Sequence, residues 1–288
     1  MKTLTYLVML VVIFLPHLSN ATTTEPTWKQ TYLLAINLDK QEDWGSALTA
    51  AKLALRKAKS SFGRSSLNAS KSHMLLAELY AQRGKYASAE IHYAKVIRIR
   101  GELFGPDHVS MTEPLTLLAE LYATRNKFDL AQQFFTKAIH SGQGDKDPAT
   151  ARALEGLASL RAREGRYEES AELLHRAIEI CDSSKKYGEP ICGVASRSLI
   201  VLAEVYMSQG KFLPAAKAYR KALELLESQK GPDGLVMYSV LTRLGDAYQN
   251  AGSRTLADNY HRRAASIYAR ELGSTRLAVQ FPHNPSRP

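Results

Sequence analysis

The chain of 288 residues is nearly free of cysteine, with Cys181 and Cys192 the only two. That scarcity excludes a disulfide-dense small scaffold and a zinc module built on clustered Cys and His. No run of Lys or Arg exceeds two, so the formal net charge of +10 is spread among acidic residues instead of forming a basic tail. There is no Gly-rich phosphate loop, no HExxH helix and no nucleophile elbow, and the eight His are scattered. These absences leave no catalytic residue, metal ligand set or cofactor to expect, and the chain reads as a non-enzyme.

Long apolar runs are also missing, apart from Leu4 to Leu15. Lys2 precedes that run, Pro16 ends it, and Ser19-Asn20-Ala21 supplies the small residues a signal peptidase inspects. Residues 1–21 therefore read as a cleaved signal peptide and 22–28 as a short linker. An uncleaved anchor is the alternative, but twelve residues cover only about 18 Å of a roughly 30 Å hydrocarbon layer. The expected location is periplasmic or secreted, with no stable membrane span after cleavage. Loss of Lys2 leaves 37 basic residues against 28 acidic ones, a net charge of +9. In an oxidising compartment Cys181 and Cys192 can bridge, closing a short loop worth about 3 kcal/mol, or they can stand as two ordinary small residues.

What the chain does contain is a repeat. LLAELYAQRGKYASAEIHYAKVI from Leu75 and LLAELYATRNKFDLAQQFFTKAI from Leu117 align without gaps, and further copies start at Gly156, Val201 and Arg243 after a degenerate one at Leu33. Glu42, Gly84, Asn126, Gly165, Gly210 and Gly252 mark one turn position, at intervals of 42, 42, 39, 45 and 42 residues. Seven residues before each mark stands a small residue (Ala35, Ala77, Ala119, Ala158, Ala203, Gly245). Five after it stands another (Ala47, Ala89, Ala131, Ser170, Ala215, Ala257). Bulky side chains, mostly aromatic, lie four before and two after, with Arg161 and Arg254 as exceptions. Large meets small across a pair of antiparallel helices, so the aromatic stripe is core and the two axes approach closely. Each unit is a helix, a tight turn and a second helix, and its apolar flank must be covered by the neighbouring unit.

These positions resemble the tetratricopeptide repeat over about Lys29 to Leu272. The 42-residue period and the segment IRIRGELFGPDH (97–108) look like the long repeats of kinesin light chains. The resemblance implies an all-α, right-handed superhelical solenoid of six helix-turn-helix repeats over 29–272, with first helices lining a concave groove that binds peptides or proteins. Kinesin-light-chain repeats carry an Asn pair where this chain has Met74-Leu75, Thr116-Leu117 and Ile200-Val201, so their cargo preference does not carry over. After Leu272 the composition turns to Gly, Ser, Pro and Arg, and 273–288 reads as a disordered tail. No polar capping helix follows the sixth repeat, which makes its end face a candidate for self-association.

In that family the groove faces lie thirteen, ten, six, three and two residues before the turn. Six before gives Glu78, Glu120, Glu204 and Asp246 among six positions; thirteen before gives Lys29, Lys71, Arg152 and Arg197. Tyr32, Met74, Ile200 and Met207 add apolar anchors. An acidic ridge beside a basic one suits an extended peptide with charges of both signs. The competing reading is that the two rows pair with each other as solvated ion pairs. A partner protein or peptide is expected without a small-molecule cofactor. An anionic polymer, nucleic acid or cell-surface polysaccharide, is the alternative occupant, with nucleic acid disfavoured by the scatter of charge.

Overall fold

The computed structural model describes residues 26–142, 147–186, 193–228 and 234–280, with backbone alone for 184–186 and 271–280. Twelve α-helices and one 3-10 turn (Val109–Met111) make up its regular structure, and no strand occurs among the described residues. In chain order they are α1 (Trp28–Lys40), α2 (Trp44–Phe62), α3 (Leu67–Gln82), α4 (Tyr86–Phe104), α5 (Thr112–Thr124) and α6 (Phe128–Ser141). Then follow α7 (Pro148–Arg163), α8 (Tyr167–Lys186), α9 (Gly193–Ser208), α10 (Phe212–Ser228), α11 (Gly234–Asn250) and α12 (Arg254–Gln280). The proposed signal peptide and linker start lie outside the described residues. α12 runs past Leu272 to Gln280, so the expected tail is helical over its first eight residues; 281–288 lie outside the described residues.

Each turn position has the backbone its residue type requires. All six marks sit at positive φ, from 57° at Asn126 to 80° at Gly252, with Glu42 at 61°. There the helix ends in a left-handed residue, and the next amide reaches back to the carbonyl of the bulky residue four before the mark. The bond recurs as Asp43 to Leu38, Lys85 to Tyr80, Lys127 to Tyr122, Arg166 to Arg161, Lys211 to Tyr206 and Ser253 to Tyr248, at 2.8–3.0 Å. One capping device therefore closes every hairpin, whether the mark is Gly, Asn or Glu.

The small residues set the packing distance. Ala35, Ala77, Ala119, Ala158, Ala203, Ala47, Ala89, Ala131, Ser170 and Ala215 are each 0% exposed. Gly245 shows how little room is left: a Cβ built there would stand 2.3 Å from the ring of His261 on the facing helix. At Gly156 the Phe135 ring fills the same space, 2.2 Å from a built Cβ. Arg161, which replaces an aromatic residue, keeps its stem in the core and sends its guanidinium to Gln132 and Glu164, both at 2.9 Å. The buried clusters run between repeats as well as within them: one joins Met74, Tyr93, Leu118, Phe135 and Leu157, which belong to α3, α4, α5, α6 and α7. The fold is thus an all-α, right-handed superhelical solenoid of six hairpins, each covering the flank of the next. No described helix is long and apolar enough to cross a membrane.

Candidate binding groove

Among the first helices, α1 touches α3, α5 touches α7 and α7 touches α9. On these helices the two expected rows do meet across repeats. Glu120 of α5 takes a forked pair of hydrogen bonds from Arg152 of α7, at 2.5 and 2.6 Å. That planar fork is the strong form of the ion pair and it consumes both groups. Elsewhere the register shifts. Arg197 of α9 lies 3.4 Å from Glu155, and Glu204 of α9 accepts from Arg243 of α11 at 2.5 Å. His261 of α12 reaches Asp246 at 3.0 Å. Four of the expected groove charges, Glu120, Arg152, Arg197 and Glu204, are therefore tied within the chain, and Asp246 has a histidine on it.

Other expectations change as well. Met74 is 7% exposed and belongs to the core, so it is no surface anchor. Ile200 is half-buried against the clusters on either side of α9. Tyr32 is half-buried beneath Trp28, ring centroids 5.4 Å apart. Lys29 and Lys71 stay exposed and unpaired among the described residues. Met207 lines a groove cavity of about 510 Å³ together with Glu204, Ser208, Tyr219, Arg243 and Asp246.

Glu78 is the exception among the acids. It is half-buried on α3, and no hydrogen bond or ion pair reaches its carboxyl among the described residues. Burial, then the charge of Glu113, pushes its pKa up to about 7, against the opposing pull of Arg152 and Arg100. Tyr93 on α4 faces the same place. It is 2% exposed, and its phenol is raised by burial and by the charges of Glu78 and Glu120. Tyr32 is raised too, by burial and then Glu78 and Glu113.

Sequence reasoning missed Arg243, Tyr93 and Tyr219, which lie off the groove positions that the resemblance implies, and it passed over Glu155, which stands on one of them, ten before Gly165. It also missed a histidine pair. His73 and His92 meet at 2.8 Å through their Nδ1 atoms, and burial drives them down to about 3 and about 4. Outside the groove, an apolar cleft of about 690 Å³ opens between α8, α9 and α10, with Ile178, Leu199 and Leu202 in its floor and Leu213 at its lip. No group of three or more candidate metal ligands occurs among the described residues. Cys181 is fully buried and disulfide-bonded. Cys192 lies outside the described residues, and its pairing is carried forward as a proposal.

Sequence and structure comparisons agree with this architecture. Models of the tetratricopeptide repeat match residues 32–102 and 116–185, 68–143, 196–226 and 239–283. A TPR repeat-containing protein of Dictyostelium discoideum is 29% identical over 117 residues, which is 40% of this chain and 7% of that much longer protein. Among solved structures, BtubC (BKLC) from P. vanneervenii superposes with a TM-score of 0.66 at 20% identity, over 92% of this chain and 97% of the other. A putative kinesin light chain of Podosopora anserina with TPR-like repeats gives 0.56 at 20% identity, covering 70% and 95%. The type IV pilus biogenesis factor PilW gives 0.59 at 15% identity, covering 93% and 97%. At these identities the three structures speak for the fold alone.

Proposed function

The chain belongs to the tetratricopeptide-repeat family, and from that premise we propose that it is a non-catalytic scaffold of an exported compartment that holds a partner peptide or protein along its inner wall. Repeats of this kind make a protein–protein interaction scaffold. The observation that supports the groove is the open trough at α9 and α11, where Met207, Ser208 and Asp246 line a cavity of about 510 Å³ beside an ion pair that fixes its shape. Extended peptide fits such a trough because paired charges on a rigid wall set register while apolar patches supply affinity. Export is supported by the amino-terminal pattern Lys2, Leu4 to Leu15 and Ala21, and a Cys181–Cys192 bridge is the chemistry an oxidising compartment permits.

Purification of the protein from the compartment where it resides tests this reading. Wild type is expected to carry a partner that is lost from the Lys71→Glu, Ser208→Trp double variant, which reverses one free charge and fills the trough at an exposed position. Equal capture by both proteins would place the partner on another face.

A second reading has one observation behind it. α2 holds Lys52, Arg56, Lys57 and Lys59 and no acidic residue in its 19 positions. An anionic polymer would find a cationic strip there. Its affinity would fall steeply with salt through counterion release, whereas a groove-bound peptide weakens only modestly.

A further inference from the structure

Three repeats carry a glutamate six residues before the turn and a ring nine residues after the preceding helix ends in that turn: Glu78 with Tyr93, Glu120 with Phe135, Glu204 with Tyr219. Each couple brackets a cup between the two helices of its own hairpin, α3 and α4, α5 and α6, α9 and α10. Two of the three cups are filled by the chain itself. Arg152 reaches into the cup of Glu120, with its guanidinium on both carboxylate oxygens. Arg243 reaches into the cup of Glu204, 2.5 Å from the carboxylate, and lines it together with Tyr219. The filling residue comes from thirteen or nine positions before the next turn.

In the repeat that should fill the cup of Glu78, those positions hold Glu113 and Leu117. One is an acid and the other cannot pair. The Tyr93 ring is 2% exposed, and its hydroxyl makes no hydrogen bond among the described residues. Buried polar groups are nearly always satisfied, and a half-buried carboxyl without a cation is costly. Counting Glu78 itself, three carboxyls meet there, with Asp39 from α1 and Glu113 from α5, against two arginines, Arg100 from α4 and Arg152 from α7. Both arginines are already engaged, Arg100 with the Ser110 carbonyl at 2.6 Å and Arg152 with Glu120.

We propose that the cup of Glu78 and Tyr93 receives an arginine side chain of the bound partner, which completes on the ligand's side the contact that Arg243 makes within the chain. This rests on the groove reading above and specifies what enters it. Arginine is favoured over lysine because a planar guanidinium, with five donors in a fixed fork, can span the carboxylate and the phenol together. The raised pKa of Glu78 fits the same picture: a carboxyl that lacks its counterion keeps its proton longer than usual.

Carboxyl-labelled protein titrated by carbon NMR tests the proposal with a short probe, acetyl-Ser-Ala-Arg-Ala-Ser-amide, and its citrulline counterpart of equal shape without charge. The arginine peptide is expected to lower the Glu78 titration midpoint by at least one pH unit, with a weaker effect from a lysine peptide and none from citrulline. Leu117→Arg, which supplies the missing side chain from within, is expected to lower the midpoint without any peptide and to reduce peptide affinity at least tenfold. Should that variant not fold, Glu78→Gln replaces it: the arginine peptide must then lose at least tenfold in affinity. A midpoint indifferent to the arginine peptide, or equal response to citrulline, overturns the proposal. If that happens while Lys71→Glu, Ser208→Trp still abolishes partner capture, the groove reading survives and only the cup is wrong.

Discussion

At Glu78 a half-buried carboxyl feels the charges of Glu113 and Asp39 and has no ion-pair partner among the described residues, while the comparable Glu120 and Glu204 each hold an arginine. Its ionisation has a definite linkage to folding. In the unfolded chain it loses its proton near 4.5, in the folded chain near 7. Between those values the folded state retains a proton that the unfolded state has lost, so stability falls as pH rises, and above 7 the cost is complete. In a sealed site the shift corresponds to about 3 kcal/mol; water at the groove side reduces this to about 1–2 kcal/mol. Glu78→Gln is therefore expected to gain that amount over wild type at pH 8 and nothing at pH 4, read from urea unfolding at both values. An equal gain at the two pH values would mean that the effect is packing and not charge. The acidic row itself was legible from spacing, whereas the identity of its one unpaired member was not. Whether a glutamate finds an arginine depends on the residues thirteen and nine before the next turn, and on a few degrees of helix rotation that spacing leaves open.

Single elements were the most legible part of the sequence, because the turn position fixes both helix ends. The marks at Glu42 and Asn126 deviate from glycine yet hold φ at 61° and 57°. A side chain in the left-handed region carries strain that glycine avoids. Glu42→Gly is expected to raise stability by about 0.5–1 kcal/mol, and Gly210→Ala at the same place in the fifth repeat to lower it by about 1 kcal/mol. Both are measured as shifts of the urea midpoint, and a loss at Glu42→Gly would show that the Glu42 side chain, not the turn, holds the first hairpin. Met74 illustrates what element-level reading misses: a position that faces the groove in the family lies in the core here, in one buried cluster with Tyr93, Leu118 and Leu121. The helical stretch from residue 273 to Gln280 was missed for another reason. Helix α12 is the last described element, so only composition spoke for its end, and Gly273 with Ser274 reads as a stop by propensity alone.

For the whole molecule, stacking of six hairpins leaves the first helices side by side on one wall and the second helices on the other. The wall made of first helices carries a chain of inter-repeat ion pairs, from Glu120–Arg152 through Glu155–Arg197 to Glu204–Arg243. Such pairs on a half-exposed surface add little to stability singly, but they hold neighbouring repeats in one register. They also leave few free charges on that wall, and under the proposed function recognition would fall to Glu78, Lys29, Lys71 and the trough beside Met207. The outer wall carries the acid-free α2 and the cleft at Leu213, neither of which the repeat pattern announces. Photo-crosslinking in the cells that make the protein tests the central claim most directly. A photoreactive residue is placed at Lys71 or Ser208 on the inner wall, or at Lys52 or Lys217 on the outer one. The account predicts partner adducts from the two inner positions and none from the outer pair; adducts confined to Lys52 and Lys217 would contradict it.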